Sequence, residues 1–279
     1  LIYSETDEPI QRTYHYQTAY YSFEEARRLG IDSTQSAEID NLLQRYWAQE
    51  HNAGIHALES GEYDDHLRDA ASHLRNAVAL KPNEISSYIA LTNAYYSADK
   101  IKLAVKTLSD AEENLDTPNA QIYGKLGFLS LEQGKIEDAI TFYQLSIDIS
   151  DNKNAAFGLV NAYISNGESL KAVDLLTGLL TRYPNETDIN HVYGVQLNIV
   201  LDGYLTQLHQ AYKDDNSVEV EQLREAIENM MEGAEGQLTQ AYKNDISNTS
   251  FVESLAIFYN NLTSKYLEML EVAYTEHVD

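Results

Sequence analysis

Histidine and carboxylate side chains that could bind a metal occur together at one point of this sequence. His66 and His73 lie seven residues apart with Asp69 between them, so one helical face could present all three groups. The surrounding segment is polar throughout, which favours a solvated helix face instead. His51 and His56 are five residues apart and point to different faces. The chain has no Cys, so thiolate ligands and disulfides are absent. The sequence therefore predicts no metal site.

Residue patterns that carry catalysis are also missing. There is no Gly-rich phosphate loop followed by Lys-Ser/Thr, no Gly-x-Ser-x-Gly elbow and no His-Glu-x-x-His. Acidic pairs such as Glu112-Glu113 arise readily among 44 acidic residues, and none adjoins an apolar segment that would raise a carboxyl pKa. The Met230-Met231 pair is typical of a helix core. We predict that the chain is not an enzyme, has no catalytic residues and needs no cofactor.

The net charge of −25 restricts the partners of the chain. Nucleic acid and anionic membrane surfaces would be repelled, so a neutral or basic protein partner fits better. No apolar run approaches the roughly 18 residues that a transmembrane helix needs. The sequence therefore predicts a protein partner, no nucleic acid and no transmembrane segment.

A period of about 34 residues runs through the middle of the chain. Leu126 matches Leu159 and Gly134 matches Gly167, each 33 residues further on. Leu91 matches Leu126 at a distance of 35 residues. Each unit reads as two amphipathic helices, because apolar residues recur at helical spacing on both sides of a glycine. The glycine supplies the left-handed residue that ends the first helix.

This pattern of small and aromatic residues in paired helices resembles the tetratricopeptide repeat. The resemblance recurs over at least three units, and Pro82 and Pro184 stand near the ends of second helices, 102 residues apart. An irregular helical bundle would not produce this recurrence. The resemblance implies an all-α, right-handed superhelical solenoid of helix pairs, with lengthened helices at its ends.

Four segments make up the predicted organisation. Residues 1–12 form a flexible tail, 13–35 an N-terminal half-repeat or cap, and 36–186 four repeats, with Asp99 in a position where the family usually has Gly. Residues 187–279 form an extended fifth repeat and a C-terminal capping helix. Long helices are predicted from Ser36, as N-cap, to about Ser60, with an extra turn near 64–67 in its partner, and over 189–213, 218–243 and 250–273.

In tetratricopeptide solenoids the first helices of the repeats line a concave groove, and the resemblance implies that partners bind there. The amides of Asn93 and Asn161 occupy matching positions and can both donate to and accept from a peptide backbone. Aromatic residues in this groove could anchor a partner. The predicted groove residues are Asn93, Tyr96, Gln121, Lys125, Phe128, Asn154, Phe157, Asn161, His191 and Asn198.

Some members of the family hold a partner's C-terminal carboxylate with paired Lys and Arg beside the groove Asn. Here Lys125 is the only basic residue at those positions, and its neighbours are Ile89, Phe157 and Gly158. The clamp is incomplete, so acidic tails are disfavoured and a neutral or basic segment is expected. We therefore predict a non-catalytic interaction scaffold.

Two alternatives remain open at this point. The chain could be a self-assembling or envelope-associated subunit that forms a homodimer through its C-terminal helices. An exposed apolar stripe within 187–279 would favour that reading. A small-ligand-binding protein or an enzyme with a pocket in those helices is the third alternative. The first residue, Leu1, and the lack of Cys fit an exported bacterial protein whose signal or lipid anchor was removed, and a trimmed cytoplasmic chain fits nearly as well.

Overall fold

The structure, a computed structural model, describes residues 9–61 and 65–275, and all of its regular elements are α-helices. The helices are α1 (Pro9–Leu29), α2 (Ser33–Ser60), α3 (His66–Leu80), α4 (Ile85–Ser97), α5 (Ile101–Asn114), α6 (Ala120–Glu132), α7 (Ile136–Ile149), α8 (Lys153–Ser165), α9 (Ser169–Arg182), α10 (Thr187–Lys213), α11 (Ser217–Asn244) and α12 (Thr249–Thr275). The expected all-α fold of helix pairs is confirmed, and in this described part of the chain no helix is both long and apolar enough to span a membrane.

The helices form two compact units. The first unit contains α1 to α6, within residues 1–133, together with Asp148–Ser150. The second unit contains α7 from its start to Ile147 and all of α8 to α12. Each unit has its own buried apolar core, so each is described separately below.

The N-terminal boundaries differ from the sequence prediction. Helix α1 begins at Pro9, so residues 9–12 are helical rather than part of a tail, while residues 1–8 lie outside the described part of the chain. Helix α2 begins at Ser33 rather than after Ser36, because Asp32 caps it. The Asp32 carboxylate accepts from the Gln35 backbone N–H at 2.9 Å, and the Gln35 side chain accepts from the Asp32 N–H at 3.3 Å. This reciprocal capping box satisfies two N-terminal donors.

The turns inside the central helix pairs depend on left-handed residues. Gly134 and Gly167 have φ values of 70° and 75°, and Asp99 takes the same place in the α4–α5 turn with φ 55°. The sequence prediction placed Asp99 where the family usually has Gly, and its positive φ explains why Gly is favoured there. The extra turn expected near residues 64–67 lies partly outside the described residues, and α3 begins at His66.

The same close contact between paired helices occurs in both units. A Cβ added to Gly54 of α2 would lie 2.5 Å from Leu74 Cγ of α3. A Cβ added to Gly194 of α10 would lie 2.7 Å from Leu238 Cγ of α11. Both leucines are buried. The absence of a side chain at these two glycines therefore allows each long first helix to lie directly against its partner.

Candidate functional site

Four of the predicted groove residues lie together in the first unit, on α4 and α6. The Lys125 ammonium donates a hydrogen bond to Asn93 Oδ1 at 2.9 Å. The rings of Tyr96 and Phe128 meet edge to face, with 5.1 Å between their centroids. These contacts form because Asn93 and Tyr96 lie three residues apart on α4, and Lys125 and Phe128 lie three apart on α6. We call these four residues the α4–α6 cluster.

Burial and one neighbouring acid shift the pKa values of two polar groups in the α4–α6 cluster. Burial lowers the pKa of Lys125, whose hydrogen-bond partner Asn93 is a neutral amide. Tyr96 donates its hydroxyl to Glu132 at 3.2 Å, and desolvation, followed by the hydrogen bond to Glu132 and the charge of Glu132, raises the pKa of Tyr96. The cluster thus presents an ammonium, an amide and a protonated phenol. The Tyr96 hydroxyl already donates its hydrogen to Glu132, so the ammonium and the amide are the groups that can donate to another molecule.

Gln121 contributes less to this arrangement. It stands in the first turn of α6, where its backbone N–H donates to Asn119 Oδ1 at 2.9 Å, and its side chain is exposed to solvent. Asn119 was not singled out in the sequence, although Asn is a preferred N-cap residue. Its cap fixes the start of the helix that carries Lys125 and Phe128.

The predicted groove residues of α8 lie on one helix face in the second unit. Asn154 and Asn161 are exposed, and Phe157 between them is partly buried. Phe157 packs against a core that includes Ala156, Val160 and Leu176. Its ring is therefore partly used for folding, while the two amides remain available to a partner.

His191 is already in contact with another helix of the second unit. Its Nε2 lies 2.8 Å from Ser254 Oγ of α12, and its ring centroid lies 4.7 Å from that of Phe251. Burial lowers the pKa of His191, and the nearby Asp188 partly opposes that shift. His191 is thus a contact residue between α10 and α12 as well as a groove candidate. Asn198 lies two turns further along α10 and is half-buried.

The sequence reasoning missed a buried carboxylate, Glu50 of α2, whose side chain is 1% exposed. Four groups converge on it. Arg12 Nη1 donates to Oε1 at 2.8 Å, and the Tyr16 hydroxyl donates to the same oxygen at 3.0 Å. His73 Nδ1 lies 2.7 Å from Oε2, and Asn76 donates to that oxygen at 3.2 Å. We call these five residues the Glu50 cluster, and they join α1, α2 and α3.

The partners of Glu50 determine its ionisation. Burial alone would raise the pKa of its carboxyl group, but hydrogen bonds from His73 and Asn76 and the charges of Arg12 and His73 together lower that pKa. The carboxylate is therefore charged at neutral pH although it is buried. A buried ion of this kind is stable only when its lone pairs are satisfied.

The Glu50 cluster also corrects the expectation for His73. His73 was assigned to a solvated face because its segment is polar, yet its side chain is 21% exposed and directed at Glu50. The sequence contains one signal that Glu50 is buried. Glu50 lies four residues after Tyr46 and four before Gly54, on the buried face of α2. Among the described residues, no group of three or more His, Cys, Asp or Glu side chains is placed to hold a metal ion.

The first unit also contains a cleft of about 330 Å³ between α1, α3, α4 and α5, lined by four tyrosines: Tyr20, Tyr21, Tyr88 and Tyr95. Burial, with a smaller contribution from Asp110, raises the pKa of Tyr88 to about 12. Its hydroxyl therefore stays protonated, and Arg75, Lys106 and Asp110 supply the charged groups of the cleft lining beside the tyrosine rings.

Comparisons with known proteins agree with this architecture. No family model matches the chain. A TPR repeat-containing protein, MJ1428 of Methanocaldococcus jannaschii, is 27% identical over 118 residues, which is 42% of this chain. The chain spans 20% of the length of that relative.

Among solved structures, the MamA protein is 17% identical, with a TM-score of 0.52, over 74% of this chain and 98% of that chain. The pilF protein of Pseudomonas aeruginosa is 15% identical, with a TM-score of 0.49, over 85% of this chain and 99% of that chain. The likeness to MamA and to the TPR repeat-containing relative shows that the chain has the tetratricopeptide-repeat fold, and the resemblance seen in the sequence is confirmed.

Proposed function

We propose that this chain is a non-catalytic protein–protein interaction scaffold. The α4–α6 cluster would bind a neutral or basic extended segment of a partner protein. The hydrogen bond between Lys125 and Asn93, beside the paired rings of Tyr96 and Phe128, is the observation that carries this proposal. It supports the proposal because groups that could donate to a peptide backbone lie beside an aromatic surface, a combination suited to peptide recognition.

The donor groups define how such a segment would bind. Asn93 uses its Oδ1 to accept from Lys125, which leaves the Nδ2 group to donate to a peptide carbonyl. The Lys125 ammonium carries further donors and has lost part of its hydration through burial. A backbone carbonyl of the partner would accept a hydrogen bond from this ammonium and so replace part of the lost hydration. No negatively charged side chain would be needed.

The charge of the chain and the aromatic pair define which segments would be selected. The net charge of −25 disfavours acidic segments at long range. An apolar side chain would lie against the Tyr96 and Phe128 rings. The exposed amides Asn154 and Asn161 form a second candidate contact face on α8. Its contribution to peptide affinity is measured with a separate variant.

A displayed library of random peptides selected on the full chain would test the proposal. We expect neutral and basic sequences to be enriched. Asn93→Ala and Phe128→Ala should each weaken binding of the selected peptides by about 1–3 kcal/mol. Each substitution removes a side-chain group that the bound peptide would contact.

Asn229→Ala on α11 is the control, since it removes an exposed amide outside the candidate faces. Circular dichroism of each variant would exclude loss of folding as the cause. Enrichment of acidic peptides, or equal affinity for the Asn93→Ala protein, would contradict binding at the α4–α6 cluster. Asn161→Ala then reports whether the α8 face takes part.

A further inference from the structure

Helix α12 has two apolar faces, and among its described side chains only those of one face are covered. Phe251 and Phe258 are buried against the second unit. Where the side chains of this helix are described, seven large apolar residues are exposed: Val252, Ile257, Tyr259, Tyr266, Leu267, Leu270 and Tyr274. This concentration on one helix exceeds the scattered apolar exposure that is normal for a protein surface.

Most of these exposed residues lie along one line of the helix. Val252, Tyr259 and Tyr266 follow one another at intervals of seven, and Leu270 and Tyr274 continue at intervals of four. Such spacing keeps side chains on one side of an α-helix and is the spacing that a second helix can contact. We call this line of residues the α12 face.

The distal part of the α12 face borders a cleft in the second unit. The cleft has a volume of about 330 Å³, and its apolar walls are Tyr212 of α10, Ile227 and Met231 of α11, and Tyr266 and Leu270 of α12. Tyrosine and methionine are suited to contacting apolar side chains of varied shape. Tyr266 and Leu270 belong to both surfaces, so the cleft and the α12 face form one continuous apolar site.

An acidic stripe runs along α11 beside this site. Glutamates at alternating spacings of four and three place five exposed carboxylates on one side of the helix: Glu221, Glu225, Glu228, Glu232 and Glu235. Two of them lie on the side of α12. Glu228 lines the cleft together with Arg224, whose Nη1 lies 4.0 Å from Glu221 Oε2, and Glu235 accepts a hydrogen bond from the Tyr259 hydroxyl at 2.5 Å.

We propose that the α11–α12 cleft and the α12 face bind an amphipathic helix of a partner protein whose polar side is basic. The apolar side of that helix would fill the cleft and cover Tyr266 and Leu270. Its Lys or Arg residues would lie against the acidic stripe, so that apolar burial and charge complementarity act on the same helix. None of the residues involved belongs to the α4–α6 cluster.

Charge is also the reason for choosing this occupant over a second copy of the chain. The exposed α12 face meets the condition under which the sequence favoured self-assembly. Two copies meeting through this site would, however, bring two acidic stripes together in molecules that each carry a net charge of −25. Like charges placed opposite one another oppose association, whereas a basic helix removes that cost.

Fluorescence anisotropy with the full chain tests the proposal. The probe is a fluorescein-labelled leucine–lysine peptide of about 14 residues, or about four helical turns, with leucines on one helix face. We expect saturable binding that weakens as salt is added. A peptide of the same composition in scrambled order, and a leucine–glutamate peptide of the same pattern, should bind at least about tenfold more weakly.

Two pairs of variants locate the site. Leu270→Ser should weaken the probe by about tenfold or more, while Leu170→Ser on α9 should leave it unchanged. The two leucines are similarly exposed, at 65% and 60%. Glu228→Gln with Glu232→Gln should reduce both affinity and salt dependence. Glu113→Gln with Glu137→Gln, which removes the same charge from exposed positions elsewhere, should not.

Three results would overturn the proposal. Equal binding of the scrambled peptide would show that the chain only attracts cations without a helix site. Equal effects of Leu270→Ser and Leu170→Ser would place the probe elsewhere. A stable dimer in sedimentation experiments that Leu270→Ser dissociates would show that the site is filled by a second copy.

Discussion

The two units handle polar and apolar side chains in opposite ways. In the first unit a charged carboxylate, Glu50, is buried and held by partners from α1 and α3. In the described part of the second unit no acidic or basic side chain is buried, while α12 leaves seven large apolar residues in solvent. The first unit therefore buries a paired charge, and the second leaves one apolar helix face uncovered.

This difference shows that one repeat pattern can serve two structural purposes. Where a carboxylate is buried among donors, correct placement of neighbouring helices is enforced, because an unpaired buried charge is strongly destabilising. Where apolar side chains stay exposed, surface remains for another molecule. The following predictions test the contrast, beginning with the largest effect.

Glu50→Ala should lower the free energy of unfolding of the first unit by about 3 kcal/mol, because it leaves Arg12 and His73 without the carboxylate that compensates them. The measurement is urea unfolding followed by the fluorescence of Trp47, which is the single Trp of the chain and lies on α2.

Glu59→Ala is the matched control for Glu50→Ala, since Glu59 is an exposed glutamate on the same helix. A change within about 0.5 kcal/mol is expected for this surface position. If Glu50→Ala cost no more than Glu59→Ala, the contrast between the two units would lose its energetic basis.

Gly54→Ala and Gly194→Ala should each destabilise their own unit by about 1–2 kcal/mol. The new methyl group meets a leucine Cγ at less than 3 Å in both units, and overpacking outweighs the gain of about 1 kcal/mol in helix propensity. Urea unfolding followed by Trp47 fluorescence measures the first substitution, and circular dichroism measures the second.

Gly203→Ala distinguishes packing from propensity. Gly203 lies on α10 like Gly194, but nothing lies within 4 Å of a Cβ added there. This substitution should stabilise the chain by about 0.5–1 kcal/mol. If Gly194→Ala were equally stabilising, the close approach of α10 and α11 would not hold in solution.

The smallest expected effect is a change in the free energy of unfolding with pH, caused by one histidine in each unit. Burial lowers the pKa of both His51 and His191, with Glu84 and Asp188 partly opposing the shifts. For a histidine whose folded-state pKa is depressed, the stabilisation is complete above the unfolded value of about 6.5 and is lost as pH falls below it. Each unit should therefore become less stable between about pH 7.5 and pH 5.5.

Single substitutions separate the two contributions. His51→Gln should flatten the pH dependence reported by Trp47, whose ring stacks on His51 with centroids 5.0 Å apart. His191→Gln should flatten the pH dependence of the remaining unfolding signal. An unchanged slope in either variant would show that the histidine concerned does not determine the acid sensitivity of its unit.

The sequence predicted the helices because their signals are local. Apolar spacing identified the bounds of α10, α11 and α12 to within about two residues, which is the usual uncertainty of a helix boundary. The start of α2 was missed because Asp32 and Ser36 are both suitable caps, and only the reciprocal bond to Gln35 decides between them. Local residue preferences alone do not make that choice.

The candidate site was predictable to the extent that it follows the repeat. Asn93, Tyr96, Lys125 and Phe128 were found because matching positions of successive repeats face the same way. The Glu50 cluster could not be found by this route, since its five residues come from three different helices and the partners of Glu50 lie on α1 and α3. The exposure of α12 was equally hidden, because an amphipathic pattern shows which residues are apolar but not which neighbour covers them.

The Glu50 cluster has one further consequence, which concerns the alignment of α1. Tyr16 lies four residues after Arg12, so both side chains reach one carboxylate from the same helix face. A shift of α1 by one turn in either direction would remove at least one of these contacts and leave a buried anion incompletely paired. We therefore expect the cluster to destabilise a shifted α1, and we infer that it contributes to the specificity of helix alignment.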